Sequence, residues 1–272
     1  MTTQTQAAPP ADPLATLRDE LADFSAHQTA EARHHFLGGI AALMHAHNAT
    51  WIAAVRMDAL PEGDPLNGWR PRLVERLNAD NDTRAFLKAK AKQVHDGKPD
   101  PVTIRRVTGA GTFRVHRLCD IAPEGWQQSD YYQANYLDRG HRDSIWGAIP
   151  ISHDLEIYVG AFRALDQPFF SAAEAATFAT ALKGMKWFHL QQVLGEGIRA
   201  ASAPLSPGER RVLHGLLQGL SEQEIAFELS KSPHTIHDQV KSVFRKYGVR
   251  SRPALMALWL GKALSSQKLE DS

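Results

Sequence analysis

Four helix-start signals crowd into residues 206–253, and they constrain this chain more than anything else in it. Ser206-Pro207-Gly208-Glu209 and Ser221-Glu222-Gln223-Glu224 each place a serine three residues before a glutamate. At that spacing each side chain can bond the other's backbone N–H. Ser232-Pro233 and Ser251-Arg252-Pro253 bring proline to a first helical turn, where its missing N–H is harmless. The apolar positions agree: Val212, Leu213, Leu216 and Leu217; then Ile225, Ala226 and Leu229; then Ile236, Val240, Val243 and Phe244; then Leu255, Leu258 and Trp259. Each set makes one face of a helix. Gly219 precedes the second start and Gly248 the fourth. Four short amphipathic helices of this kind can bury their faces only against one another, as a small all-α unit. Only Ser230-Lys231-Ser232 separates the second from the third, the short turn of a helix-turn-helix.

The third helix has one apolar face, and opposite it stand His234, Thr235, His237, Asp238, Lys241, Ser242 and Arg245. An α-helix fits the major groove of B-DNA, with side chains near its N-terminus meeting base edges. The free N–H groups there, with Ser232 and Thr235, favour phosphate. Charge points the same way. The whole chain carries a formal +1, yet residues 205–264 hold nine basic side chains against five acidic ones. A locally basic unit is the electrostatic footprint of a nucleic-acid binder. Arg210, Arg211 and Lys262 read as solvated surface.

The string LSPGERRVLHGLLQGLSEQEIAFELSKSPHTIHDQVKSVFRKYGVRSRPAL resembles the LuxR-type helix-turn-helix. Glu209, Gly219, Leu220, Glu224, Ile225, Ala226, Leu229, Ser232, Thr235, Lys246, Gly248, Val249 and Arg252 stand where that family pattern wants them. The resemblance implies a four-helix domain that docks as a dimer on paired half-sites, with base reading at the positions held here by His237, Asp238 and Lys241. The family often carries Lys where His237 stands and His where Gln239 stands, so the target sequence is expected to differ. The candidate DNA-binding set is Ser232, His234, Thr235, His237, Asp238, Lys241, Ser242, Arg245 and Lys246. The implied partners are double-stranded DNA, a second copy of the chain and RNA polymerase. The implied function is transcription regulation, with DNA binding controlled by a sensing domain. An alternative reading makes the chain a signalling or ligand-binding module whose helical domain serves protein contacts.

At 272 residues there is room for roughly two domains of about 100–200 residues each. The expected division is a disordered polar tail over 1–12, a sensory domain over 13–197, a linker over 198–204 (with the small-residue run AASAP), the DNA-binding domain over 205–265 and a tail over 266–272. In the first domain, helical periodicity runs from Pro13 to about His47, and Thr50 to Met57 reads as a buried strand. Asp58 to Pro71 reads as a long loop and Asp80 to Gly97 as a helix. Thr112 to Leu118 alternates like a strand, and Ser129 to Arg139 looks like a short helix. Asp143–Ile151 and Leu155–Ala164 predict an antiparallel hairpin around Ser152-His153-Asp154, with Pro150 marking an edge or an end. Ser171 to Glu196 predicts one long exit helix opened by a Ser171/Glu174 capping box.

The fold class is therefore an α+β sensor, an antiparallel sheet with helices, followed by an all-α four-helix helix-turn-helix domain. The first part resembles GAF- or PAS-type sensory domains in architecture. An acyl-homoserine-lactone-binding domain would want aromatic residues and an Asp at set spacings; Trp51, Asp64-Pro65 and Trp69 superficially resemble that set, without a match in spacing. A phosphoacceptor receiver is a poorer fit, since Asp58 follows its strand alone. Aromatic side chains favour ligand pockets, and Trp51, Trp69, Phe113, Tyr132 and Trp146 are the candidate pocket for a small-molecule signal, with Trp126 and Tyr131 nearby in the pattern. A signal there is expected to shift the exit helix, and with it the spacing of paired reading helices.

No catalytic constellation, cofactor motif or metal-ligand spacing stands out, so neither an enzyme nor a cofactor is expected. His141-Arg142-Asp143 lacks the Asn of a kinase catalytic loop at Ala148, and Gly109-Ala110-Gly111 lacks the third glycine of a dinucleotide site. The lone cysteine, Cys119, fits a reducing compartment. With no apolar run near membrane-spanning length and no signal-peptide pattern, cytoplasmic residence without membrane contact is expected.

Overall fold

The computed structural model describes residues 12–57, 62–198 and 205–259. The N-terminal tail, the centre of the expected linker, part of the 58–71 loop and the C-terminal end beyond Trp259 lie outside the described residues.

The first unit is built on five antiparallel strands: β1 (Asn48–Arg56), β2 (Trp69–Arg76), β3 (Arg114–Arg117), β4 (His141–Ser152) and β5 (Leu155–Ala164). They lie in the order β2-β1-β5-β4-β3. Among the described residues seven α-helices accompany them, in chain order α1 (Pro13–Ala22), α2 (Thr29–Leu43), α3 (Asn81–His95), α4 (Pro101–Val107), α5 (Leu118–Ile121), α6 (Asp130–Asn135) and α7 (Ala172–Leu182); α8 (Lys186–Gly195) closes the unit.

Successive side chains of a strand point to opposite faces, and both faces of this sheet are covered. Ala49, Trp51 and Ala53 of β1 and Ile157, Val159 and Ala161 of β5 face a core filled by Phe36, Ile40, Phe178, Leu182 and Phe188 from α2, α7 and α8. The intervening Ile52 and Ala54, with Trp146, Tyr158 and Phe162, face the other way. That second face is roofed by α3, α4 and α6. The β4–β5 hairpin forms as its alternation predicts, but β4 is interior, between β5 and β3. Pro150 is tolerated because β3 reaches only Ile145–Ala148, and the register shifts between Pro150 and Ser152.

Three expectations are corrected. The helical stretch after Pro13 is two helices, α1 and α2, broken at residues 23–28. The exit helix is likewise two, α7 and α8; Gly184 takes φ +80° between them, a left-handed conformation that ends an α-helix. The end of the proline-rich loop is strand β2, in which Pro71 falls at a register shift opposite Ala53/Ala54, so its missing N–H interrupts a ladder already irregular.

The second unit has α9 (Pro207–Gln218), α10 (Glu222–Glu228), α11 (Pro233–Lys246) and α12 (Arg252–Trp259). Both expected capping boxes form, at Ser206/Glu209 and Ser221/Glu224. Gly219 at φ +97° and Ser230 at φ 51° make the turns that follow α9 and α10. Val212, Leu213, Ile225, Ile236, Val240, Val243, Leu255 and Trp259 close the core, which also takes in Leu194 of α8. The two units therefore share an apolar seam. Polar contacts cross it too: the Tyr247 hydroxyl donates to the Leu194 carbonyl. Glu196 gives one carboxylate oxygen to Arg33 at 3.0 Å and the other to Arg210 at 2.8 Å. Arg33 also faces Glu75 of β2 at 3.8 Å. Arg210 is thus a seam residue rather than idle surface.

Gly160 of β5 lies directly opposite Trp146 of β4, and a Cβ there would stand 2.9 Å from the indole ring. The absent side chain lets the ring lie against the sheet. Gly160→Val is expected to destabilise the protein by about 1–3 kcal/mol, the usual range for overpacking. Urea denaturation checks this, and an unchanged midpoint would mean that the Trp146 ring moves aside freely.

Candidate functional site

Two sites follow from this frame: the exposed face of α11 and a cavity over the outer face of the sheet. Helix α11 forms because Ser232 caps it, its Oγ accepting from the Thr235 N–H at 3.1 Å, with Pro233 in the first turn. Ile236, Val240 and Val243 hold one side in the core. Ser232, His234, Thr235, His237, Asp238, Lys241 and Arg245 are exposed on the other. Among them His237 Nδ1 lies 3.0 Å from Glu222 Oε2, and His234 Nε2 lies 3.6 Å from Asp238 Oδ2. Lys241 and Arg245 stand on the exposed face as fixed charges, Arg245 donating to the Ser242 Oγ at 3.2 Å.

Ser242 and Lys246 sit differently. The Ser242 hydroxyl donates to Glu209 Oε1 at 2.7 Å, and Lys246 Nζ donates to Glu209 Oε2 at 2.7 Å. The same carboxylate accepts the Ser206 N–H at 2.6 Å in the capping box of α9. Glu209 is therefore the bracket that sets the angle between α9 and α11, and the two α11 residues are committed to it. Burial pushes the Glu209 carboxyl up, but the Lys246 ammonium and the hydrogen bonds from Ser206 and Ser242 outweigh it and bring it down to about 2.

The cavity measures about 170 Å³, where a single water needs only about 10–15 Å³. Its floor is the outer face of the sheet and its roof comes from α3, α4 and α6, with Phe86, Val94 and Tyr131 among the lining residues. Of the expected pocket residues, Trp69 and Trp146 line it. Trp51 does not, because the pleat turns it to the opposite face between Thr50 and Ile52; its Nε1 donates to His189 Nδ1 at 3.1 Å inside the main core. Phe113 packs against that same core. Tyr132 belongs to a separate cluster with Val102, Leu118 and Tyr136, and its hydroxyl donates to the Arg142 carbonyl at 2.7 Å. Trp126 stacks edge-on against Tyr132.

Sequence reading missed the cavity's charged residues. Arg76, at the end of β2, donates through Nε to Thr50 Oγ1 at 2.9 Å, and its Nη1 lies 3.1 Å from His141 Nε2. His141 Nδ1 in turn lies 2.7 Å from His47 Nε2. Burial, then the Arg76 charge, drives His141 down to about 3 and lowers His47 as well. Both imidazoles are therefore neutral at pH 7, and hydrogen-bond direction fixes the His141 proton on Nδ1. Arg106 lies over the Trp146 ring with its Cζ 3.9 Å from the centroid. The signal that could have found Arg76 was the alternation of β2, which the prolines on either side of Trp69 obscured.

Comparison with known proteins places the second unit. Residues 203–259 match the family described as bacterial regulatory proteins, luxR family. Similar proteins include the probable HTH-type transcriptional regulator GfsR of Streptomyces halstedii, 38% identical over 65 residues that make 24% of this chain and 27% of that protein. The transcriptional regulatory protein FixJ of Bradyrhizobium diazoefficiens is 31% identical over 112 residues, 41% of this chain and 54% of that one. The chain thus spans about a quarter and about half of these relatives' lengths. A structure of SdiA in complex with octanoyl-rac-glycerol aligns over 92% of this chain and 96% of its own at 14% identity, with a TM-score of 0.46. The C-terminal unit is a LuxR-type helix-turn-helix domain, preceded by an α+β unit built on an antiparallel sheet. Among the described residues no helix is long and apolar enough to cross a membrane.

Glu209→Gln keeps the shape of the bracket and removes its charge. Because the folded carboxyl titrates at about 2 and its ordinary value is 4.5, its contribution is full above pH 4.5 and is lost as pH falls towards 2. The variant is expected to be about 1–2 kcal/mol less stable than the parent at neutral pH, with the gap closing across that acid window. Denaturation midpoints measured at several pH values check it; a gap that is constant with pH would assign the loss to packing instead.

Proposed function

We propose that the protein is a sequence-specific DNA-binding transcription regulator in which a small molecule held by the α+β unit controls the helix-turn-helix unit. The observation that carries this is α11. One face is locked into the core by Ile236, Val240 and Val243, while the opposite face presents Lys241, Arg245 and the exposed residues of its first turns. The family match over residues 203–259 supports it independently. On this reading Ser232 and Thr235 meet phosphate, and His234, His237, Asp238 and Lys241 reach base edges. Arg245 strengthens the backbone contact, and Ser242 and Lys246 position the helix through Glu209. A second copy of the chain supplies the paired half-site.

The five-stranded sheet roofed on both faces supports a GAF/PAS-like sensor for the first unit, the likeness being one of architecture. Its cavity, with Trp69 and Trp146 on the wall, is the signal site. The route to the DNA-binding unit is the seam at α8, where Leu194, Glu196 and Tyr247 join the two units. A shift of α8 against α9 and α11 changes the presentation of the reading helix.

Lys241→Ala and Arg245→Ala test the reading helix. Using duplexes that the parent protein enriches from a random-sequence pool, each variant is expected to bind more weakly. Arg245→Ala should also lower the slope of log affinity against log salt by about 1 for its lost phosphate contact, whereas Lys241→Ala should relax the sequence preference. Fluorescence anisotropy across a salt series, and across duplexes of different sequence, measures these quantities. Parent-like affinity and slope in both variants would remove α11 as the reader.

A further inference from the structure

The cavity in the α+β unit is charged in a way that a neutral signal does not explain. Among the described residues its wall carries three cations, Arg76, Lys90 and Arg106, against one carboxylate, Asp100. Asp100 is already engaged: its Oδ1 caps α4 through the Thr103 N–H at 2.9 Å, and its Oδ2 accepts from Thr103 Oγ1 at 2.9 Å and faces Lys90 at 3.7 Å. Among the described residues no carboxylate forms an ion pair with Arg76 or Arg106. Among the described residues the hydrogen-bond partners of Arg76 are a hydroxyl and a neutral imidazole, and burial pulls its guanidinium down to about 10, still charged at pH 7. The Arg106 Nε is buried without an acceptor.

The two guanidiniums are also held alike. Arg76 stacks over Phe162 with its Cζ 4.4 Å from the ring centroid, and Arg106 stacks over Trp146 at 3.9 Å. Those two rings are neighbours, their centroids 5.5 Å apart in an edge-on pair. A ring beneath a guanidinium takes up none of its N–H donors, and a carboxylate is the acceptor that such donors favour; of the Arg76 donors, Nε and Nη1 already meet Thr50 and His141. An unpaired charge taken out of water is costly, and a counter-ion removes most of that cost. Much of the remaining wall, with Phe86, Val94 and Tyr131, is apolar or aromatic, interrupted by Thr50, Gln93, Thr103 and Asn135. The site thus combines a largely apolar chamber with a surplus of positive charge, Arg76 on its floor and Lys90 and Arg106 on its roof.

We propose that the signal is an organic carboxylate, an apolar or aromatic body bearing one acidic group, with Arg76 and Arg106 binding the acid. This rests on the reading of the cavity as a ligand site and specifies the ligand's chemistry. Arg76 and Arg106 are specificity-determining residues, and the neutral His141–His47 pair keeps Arg76 placed without cancelling its charge.

The test compares acids with their uncharged isosteres in the full chain at pH 7. Octanoate is paired with octanamide, and phenylacetate with phenylacetamide, each titrated by isothermal calorimetry. The acid of at least one pair is expected to bind about tenfold more tightly than its amide, a difference of ~1.4 kcal/mol. Arg76→Gln and Arg106→Gln should bring that ratio towards one while amide binding persists, which also shows that the variants are folded. Equal or tighter binding of the amides by the parent protein overturns the carboxylate and leaves the cavity as a site for neutral ligands. A preference that survives in both variants overturns the role of the two arginines. If none of the four compounds binds saturably, the cavity falls as a site for such ligands, and the carboxylate falls with it.

Discussion

The organisation of the first unit depends on the pleat of β1, β5 and β4. Because each strand sends alternate side chains to opposite faces, a sheet this apolar must be covered twice. Only one covering is solid. On the inner face Phe36, Phe178 and Phe188 are fully buried and leave the strand residues no freedom. On the outer face the covering helices are shorter or more polar: α3 buries no residue completely and α4 buries only Val102. The molecule therefore has a hard side, which fixes the sheet, and a loose side, where a chamber fits. The chamber follows from unequal roofing of one sheet and needs no separate device.

Rigidity in the second unit comes from a different source. Its core is small, and α10 has only seven residues, so angles between helices are set largely by polar ties. Glu209 binds the cap of its own helix and two residues of α11, while Arg252 donates to the carbonyls of Leu216 and Leu220 where α9 ends. Charge-assisted bonds to buried or half-buried partners hold geometry better than the same pairs in water. That explains why residues typical of a DNA-binding pattern, such as Glu209 and Lys246, are found facing inward. The pattern records the scaffold of the reader as much as its contacts.

How much was legible in the sequence differs between the units for physical reasons. In residues 206–259 local signals and tertiary packing agree: each serine that looked like a cap is one, and the apolar stripes point into one core. In the first unit the long periodic elements were visible, including β1, α3 and the β4–β5 hairpin. Breaks within a continuing pattern were not. Lys183-Gly184-Met185 separates α7 from α8 with a single left-handed glycine, and the apolar spacing hardly changes across it. Strand β2 was hidden because Pro71 is acceptable only at a register irregularity, a tertiary fact. Hence two of five aromatic candidates were placed at the cavity by composition alone. Trp51, one residue out of phase, faces the opposite side of the sheet, and the arginines that give the cavity its charge went unseen.

One row of residues acquires a meaning from where its ends lie. Glu75, Arg33, Glu196 and Arg210 alternate in sign from β2 to α9, crossing from one unit to the other. Glu75 is the chain neighbour of Arg76, and the pleat sends the two to opposite faces. A single peptide link therefore joins Arg76, one of the chamber's cations, to the first member of the row. The inner layer of the first unit and its outer chamber are adjacent through the thickness of one strand, and the far end of the row is the opening helix of the helix-turn-helix unit. A neutralised Arg76 would change the field at Glu75 through that strand, without any displacement of the sheet.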